Sequence, residues 1–486
     1  MDLVLACDLG GTNFRAALLD RDGAVVREAS RPSGLGAGTE ADPEHWWRLL
    51  ADGAGALLGE EPVRAVAICG ATRTQVFLDA AGAVLRPAIT WHDSRAEEQA
   101  ERLRGLAPPG WAEAEHLNPY HPAARLAWLA ERAPDAFARL AAVVDPKDFL
   151  NARLTGRIAN DRVSAARMRA AAMPWDAAGV SLLGALGVPP AVAAVPVLEP
   201  TAILGPVRPG LPGALGRLAG VPVLAMAHDT WATVVGMGAL RPGLAYAISG
   251  TTEVFGAIGA KPAAAPGLLS VDWGEGAQQL GGPSQSGADT LAWLRGALGG
   301  AWPEGGLEAL LSTPRAAHPA LFLPFLQGER VPFWDPSLRG AFLGLDRSHG
   351  AVDLAWAVLE GVAFLNRTVL ERAEVALGAP VAEIRFGGGG AASPAWAQAK
   401  ADVTGRPVAV GAAAEPGLLG GAIAAWAGLG AFDGIGAAQA ALARVARRHA
   451  PDLARHAAYA PLFAAWTGAV AATREAGATL AALPAP

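Results

Sequence analysis

An α/β fold in two related halves is what this sequence predicts, and three observations predict it. Short apolar runs ending in Gly-rich turns alternate with Ala-, Leu- and Arg-rich stretches of helical period. A strand–Gly–Thr–strand pattern occurs twice, as LACDLGGTNFRAALL near the start and as LAYAISGTTEVFGAI from Leu244. The chain has 486 residues, of which 52% are hydrophobic and 17% charged, so it can bury more than one core and is too apolar for disorder.

Along the chain, residues 3–20 (LVLACDLGGTNFRAALLD) read as a strand, a Gly turn and a second strand. Helical segments follow in PEHWWRLLADGAGALLG and HPAARLAWLAERAPDAFARLA. The Pro-rich region 189–222 reads as irregular surface within the first half. The turn-forming Arg241-Pro242-Gly243 precedes the second Gly-Thr pattern. Read as a duplication, the two patterns divide the chain into domains 1–242 and 243–486. In the second half, DLAWAVLEGVAFLNRTVLERAEVAL has apolar residues at three- and four-residue spacing and should pack one face on a sheet. The uncharged stretch 416–432 is Gly-rich and short for a membrane span, so it reads as a buried helix.

Composition excludes several classes of function. The net charge is −6 and the lysines are only Lys147, Lys261 and Lys400, with no basic stripe, which argues against a nucleic-acid partner. Cys7 and Cys69 lie in apolar, strand-like runs, which suits buried thiols in a reducing compartment rather than a disulfide framework or a zinc site. The chain opens directly on a strand with no visible signal peptide or membrane segment, so a cytoplasmic location is expected.

The candidate chemistry lies in the turns and in a few carboxylates. A strand followed by Gly-Gly-Thr or Gly-Thr-Thr offers backbone N–H groups and a hydroxyl to an anion, and glycine lets phosphate oxygens approach closely. Gly10, Gly11, Thr12 and Asn13 form one such turn, and Gly250, Thr251 and Thr252 the other; each also reads as a plain hairpin. The P-loop pattern is absent, because the three lysines are followed by Asp148, Pro262 and Ala401. Phosphate chemistry must therefore use Gly-Thr turns, arginine and metal-bound carboxylates. Four glycines, Gly387 to Gly390, follow an apparent strand and suit either a surface for a flat ring or a tight connection into a helix begun by Ser393-Pro394. Asp8 ends the first strand, where it could hold Mg²⁺ beside a phosphate chain or serve as a turn residue. Arg15, on the presumed second strand, could reach the same anion or face solvent. His228 and Asp229 interrupt the apolar run MAHDTWATVVG, and a carboxylate there requires a partner, a metal or a task.

These motifs resemble those of the FGGY family of carbohydrate kinases, nearest to its xylulokinase-like branch, over nearly the whole chain. DLGGTNFR resembles the first phosphate motif, Gly250–Thr252 the second, and Gly387–Gly390 with SPAWAQAKADVTGRPV the adenosine segment. The segment GAFLGLDRSHGAVDLAWAVLE, 340–360, fits the C-terminal signature, including Gly344, Asp353 and Glu360. The N-terminal signature is imperfect: Tyr120, Pro122, Trp128 and Glu131 are kept, but Arg125 stands where lysine is usual and Arg132 is unusual.

The resemblance implies two ribonuclease-H-like domains of the actin/hexokinase ATPase type with an interdomain cleft. It implies ATP and Mg²⁺, with Asp229 as the general base and Asp8 and Asp229 at the metal. ATP would be bound by Gly10, Gly11, Thr12, Asn13, Arg15, Gly250, Thr251, Thr252, Gly287, Gly388, Gly389, Gly390 and Ser393. The partner is a small sugar or polyol, and a homodimer is compatible with the family.

The acceptor side departs from the pattern. In CGATRTQVFLD, Thr72 and Arg73 replace the Met–His pair usual in xylulokinases, and arginine is no conservative stand-in for histidine. Arg73 could hydrogen-bond the hydroxyls of a neutral sugar, pair with the carboxylate of an acidic one, or be tied to a neighbouring acid. In ITWHDSR, Trp91 would stack on the acceptor and Asp93 accept from its hydroxyls, while His92 departs from the usual Asn or Gln. A pentulose such as xylulose is the first expectation, with ribulose, glycerol, erythritol or gluconate as alternatives. The rivals are a metal-dependent His–Asp phosphohydrolase, an actin-like ATPase, a repressor-type hexokinase and a catalytically silent sugar-binding regulator. Two isolated cysteines cannot supply the Cys-rich zinc segment common in such hexokinases.

Overall fold

The computed structural model describes residues 1–176 and 178–483, and these form two compact units. The first comprises 1–236 and 415–443, the second 237–414 and 444–486. The sequence reading placed all of 243–486 in one domain, whereas 415–443 packs with the first unit.

The first unit is built on a six-stranded sheet. Its strands are β1 (Leu3–Leu9), β2 (Asn13–Leu19), β3 (Val25–Pro32), β4 (Val63–Gly70), β5 (Ile203–Pro206) and β6 (Pro222–Leu224), in the order β5-β6-β4-β1-β2-β3. β1, β2 and β3 form an antiparallel meander, and β4 lies parallel to β1. LVLAC and AVAIC are continuous apolar runs because both faces of these central strands are covered. The helix Pro43–Leu57 covers one face; Asp42 caps it by accepting from the Glu44 N–H at 2.9 Å, and proline occupies its first turn. The helix Pro416–Gly428 covers the other, with Gly421 against Ala6 and Ala67. This stretch belongs to the first unit because its glycines let it pack at backbone distance. A Cβ on Gly420 would stand 1.8 Å from the Ala232 carbonyl oxygen, and one on Gly236 1.8 Å from that of Pro416. The Pro-rich region is less irregular than expected: it supplies edge strand β5, and Val207, Leu215 and Leu218 enter the core.

The second unit has a seven-stranded sheet: β7 (Leu244–Ser249), β8 (Glu253–Gly259), β9 (Leu269–Asp272), β10 (Gln278–Pro283), β11 (Glu383–Gly387), β12 (Val408–Gly411) and β13 (Val445–His449). The order is β9-β10-β8-β7-β11-β12-β13. Strands β10, β8 and β7 repeat the antiparallel meander, and β11 and β12 repeat the parallel addition. Both units therefore carry one topology, with the Gly-Thr turn at the same place, between the first two strands. The amphipathic segment forms the helix Ala351–Leu377; Asp353 accepts from the Gly350 N–H at 2.9 Å, and Gly378 ends the helix in the left-handed region. Cys7 and Cys69 are buried free thiols. Among the described residues no helix is long and apolar enough to cross a membrane.

Candidate active site

In the first unit Asp8 lies in β1 near its C-terminal end, where the chain turns through Gly10–Asn13 into β2. The turn is pinned from behind: Ser33 donates through its hydroxyl to Gly11 O at 3.1 Å and through its N–H to Thr12 O at 3.0 Å. Asp8 Oδ1 is buried and has no hydrogen-bond partner among the described residues. Burial pushes the Asp8 carboxyl up to about 6, against the Cys69 thiol and Arg15, while Glu415 adds to the rise. Glu415 also pairs with Arg15 at 3.0 Å, so the charge of Arg15 is shared with a protein acid. A Cβ on Gly417 would meet Asp8 Oδ2 at 2.7 Å, so this glycine keeps space open at the carboxylate.

The second carboxylate, Asp229, begins the helix Asp229–Gly236. Its side chain is 31% exposed, yet it is set deep enough among protein atoms that desolvation, with the Asp8 charge, raises it to about 7. The Thr230 N–H, donating to Oδ1 at 2.6 Å, and the Thr230 hydroxyl oppose that rise. His228 has a different task. Its Nδ1 accepts from the Trp231 N–H at 3.2 Å and caps the helix. Burial, with Lys147 and Arg73, depresses it to about 4 against Asp161, so it is neutral at pH 7. A neutral capping imidazole answers half of the His–Asp question, and among the described residues no cluster of three or more His, Cys, Asp or Glu could hold a metal ion by itself.

The His228–Asp229 segment is held from below by the helix Pro146–Thr155. Asn151 donates to Leu224 O at 3.1 Å and to Ala225 O at 3.2 Å. Lys147 Nζ, fully buried, lies 2.5 Å from Asp148 Oδ1 and 2.8 Å from Asp161 Oδ2 and reaches Ala225 O at 3.4 Å. Burial opposes its charge, but Asp148, Asp161 and Asp145 outweigh burial and hold the ammonium above its ordinary pKa. Sequence reasoning missed this network, although a lysine between two aspartates in a chain with three lysines was a usable signal.

The acceptor candidates lie in the same unit. Arg73 has a left-handed backbone, φ 56°, and its charge acts on His228. The Trp91 ring lies 3.5 Å from that of His92 and is 37% exposed. A Cβ on Gly11 would touch Trp91 at 3.6 Å, so the indole lies against the phosphate turn. Asp93 departs from expectation. It is 2% exposed, with Oδ1 accepting from the Arg95 N–H at 2.7 Å and Oδ2 from Arg95 Nε at 2.6 Å. Both its oxygens are engaged within the loop. Next to it, an open concavity of about 420 Å³ is lined by Thr39, His92, Asp93, Ser94, Arg95 and Trp128.

In the second unit the Gly250–Thr252 turn is closed by Gly250 N–H donating to Thr252 O at 2.9 Å and is held by Ala288 N–H on Gly250 O. Gly287 packs so tightly that a Cβ would stand 2.5 Å from the Thr252 carbonyl carbon. Gly388, with φ 80°, and Gly390 lie against Ser249, which precedes this turn, while Gly389 faces open space. Lys400 bonds Glu253 at 2.8 and 3.0 Å, tying the helix Pro394–Thr404 to the residue after Thr252. At Ser393, expected to bind nucleotide, Oγ accepts from the Trp396 N–H at 3.1 Å and donates to Glu308, so the hydroxyl also caps a helix.

Comparison with known proteins decides the family. Residues 3–236 match the model described as the FGGY family of carbohydrate kinases, N-terminal domain, and residues 245–429 match its C-terminal domain. The chain belongs to the FGGY family of carbohydrate kinases. It is 32% identical over 427 residues to the xylulose kinase of Escherichia coli K12, covering 83% of this chain and 85% of that one. It is 33% identical over 467 residues to the glycerol kinase of Thermus brockianus, covering 89% and 90%. Among solved structures, the xylulose kinase of Rhodospirillum rubrum superposes with a TM-score of 0.83 at 29% identity, covering 98% of this chain and 99% of that one. The gluconate kinase of Lactobacillus acidophilus, at 21% identity and TM-score 0.85, shares the fold over 97% and 98%. This chain is thus a sugar kinase with the two-domain, ribonuclease-H-like ATPase fold, xylulokinase-like, and its family implies ATP as the phosphoryl donor.

Proposed function

We propose that this kinase transfers the γ-phosphoryl group of ATP to a hydroxyl of a pentulose such as xylulose, with Asp229 as general base. The observation that carries the reading is the Asp229 carboxyl, raised to about 7 at a helix start, beside a second carboxyl with an unsatisfied buried oxygen. A base with that pKa is half ionised at neutral pH and takes the proton as the hydroxyl oxygen bonds to phosphorus and ADP leaves. Gly10–Asn13 and Arg15 in one unit, and Gly250–Thr252, Gly287 and Gly388–Gly390 in the other, are the proposed ATP-binding residues. Two carboxylates suffice for an ion that keeps its waters and takes phosphate oxygens, so Asp8 and Asp229 fit Mg²⁺, which would neutralise phosphoryl charge. Thr72, Arg73, Trp91 and His92 are the proposed acceptor residues. The two buried thiols support work in the cytoplasm.

A second reading, another sugar or polyol, is favoured by Arg73 in its strained backbone where the branch has histidine. ADP release from Mg-ATP over a panel of xylulose, ribulose, glycerol, erythritol and gluconate, with Asp229→Asn alongside, tests both. One acceptor should stimulate the wild type and leave the variant near background. Fast hydrolysis indifferent to every acceptor would sink the kinase reading. Binding of sugar and nucleotide without ADP release would mark a silent regulator.

A further inference from the structure

Arg125 is a fully buried guanidinium, and among the described residues no carboxylate is hydrogen-bonded to it. It projects from the helix Pro122–Arg132, whose start is fixed by His121: its Nδ1 accepts from the Ala123 N–H, and its other ring nitrogen lies 3.1 Å from Glu113. Its acceptors are four backbone carbonyls and one amide. Nη1 donates to Arg73 O at 2.7 Å, Gln75 Oε1 at 3.1 Å and Ile89 O at 3.1 Å. Nη2 donates to Thr90 O at 2.7 Å and Asp93 O at 3.2 Å. One side chain thus holds the backbone of the Arg73 loop and, on both sides of Trp91 and His92, that of the second loop. Burial lowers its pKa to about 10, so it remains charged at neutral pH.

Charge and burial alone do not explain an arginine here, since a buried cation is costly unless its donors are used. The planar fork of guanidinium is what spans acceptors from two loops; an ammonium is a single point with three donors. Two departures noted in the sequence also meet at this place. Arginine for lysine at 125 and Arg73 for histidine are joined by the 2.7 Å bond, which falls on a residue with φ 56°. A non-glycine residue persists in that region only where its surroundings over-determine it.

We propose that Arg125 is the positioning residue for both acceptor-reading loops, and that Arg73 and Arg125 set acceptor preference as one unit. This rests on the acceptor assignment under the proposed function. Arg125 does not touch substrate; it fixes where Arg73, Trp91 and His92 stand. Loops displaced by a fraction of an ångström lose acceptor binding and discrimination while the phosphate turns are untouched.

The experiment is a cycle of Arg73→His, Arg125→Lys and the double variant in the full-length enzyme, with KM and kcat for each acceptor and for ATP. Lysine is usual at 125 in this family, so the fold should tolerate it, and a thermal melt checks that it does. Arg125→Lys should raise KM for the preferred acceptor about tenfold, shrink its lead over the next acceptor, and leave the KM for ATP unchanged. A merely structural role would lower the active fraction, and so kcat, without moving KM. The double variant should discriminate among acceptors differently from the product of the singles. Unchanged acceptor KM in Arg125→Lys, or multiplicative effects across the cycle, overturns the proposal. If Arg73→His leaves the acceptor ranking untouched, the acceptor assignment has failed instead, and the two failures are read separately.

Discussion

Replacing Lys147 by methionine should damage the first unit more than any surface change, and the cost should depend on pH. The ammonium and its partners Asp148 and Asp161 are all under 4% exposed, at 2.5 and 2.8 Å, and Asp145 adds to the same field. Methionine fills the volume but leaves the carboxylates without their cation. Breaking a buried pair from one side costs about 3–5 kcal/mol, since the remaining charge stays desolvated. The carboxylates can escape the penalty only by binding protons. Asp148 already stands at about 7 with the lysine present, through burial first. Without Lys147 its folded pKa rises further above the unfolded value near 4. A carboxyl so raised is fully stabilising only below the unfolded pKa, and that stability is lost as pH rises through the folded value. The variant should therefore be hurt most at pH 8 and less at pH 5. Because the chain has two units, a single unfolding midpoint would mix them, so hydrogen exchange of peptides from β4 and the helix Pro146–Thr155 is the appropriate assay. Lys147→Met with Asp161→Asn should recover part of the loss. A change below about 1 kcal/mol at pH 8, or an equal loss at both pH values, would refute the buried-charge account.

Four further outcomes are expected. With Asp229 as a base at about 7 in the metal-free protein, and lower where Mg²⁺ binds it, kcat/KM should climb with pH and level off at or below about 7; a profile that falls between pH 5.5 and 7 would remove Asp229 from that role. In the ligand-free protein the same raised pKa means stability is lost between about pH 4 and 7, so Asp229→Asn should melt higher than wild type at pH 8 and about equally at pH 4. Gly420→Ala should destabilise by about 3 kcal/mol in denaturant titration, because its Cβ meets a backbone oxygen that cannot give way, whereas Gly468→Ala, with open space in an exposed helix, should stabilise by about 0.5–1 kcal/mol; equal effects would contradict the packing described. Lys400→Met should raise KM for ATP several-fold and leave the acceptor KM alone, as the Glu253 link steadies the second Gly-Thr turn; a lowered melting temperature with unchanged ATP kinetics would make the pair purely structural.

Local chemistry made much of this kinase legible before any fold was known. The strand–Gly–Thr–strand patterns are written in consecutive residues, because a hairpin and its turn need only φ freedom and apolar alternation within about fifteen positions. The missing P-loop, the paired signatures and Asp229 within an apolar run are equally local, and so was the family. What the sequence left open depends on residues far apart. The buried helix was legible in 416–432, but nothing in 415–443 marks it as part of the first unit until Ala232 and Gly236 are placed against its glycines. Asp93 and Ser393 looked available, yet Arg95 and the Trp396 N–H occupy them. Lys147, Arg125 and Lys400 are each buried because partners such as Asp161, the Arg73 carbonyl and Glu253, 14 to 147 positions away, satisfy its charge or its donors. Hydrogen-bond satisfaction and desolvation are properties of the packed interior, so the tertiary structure alone decided which polar residues are free to act and which hold the site in place.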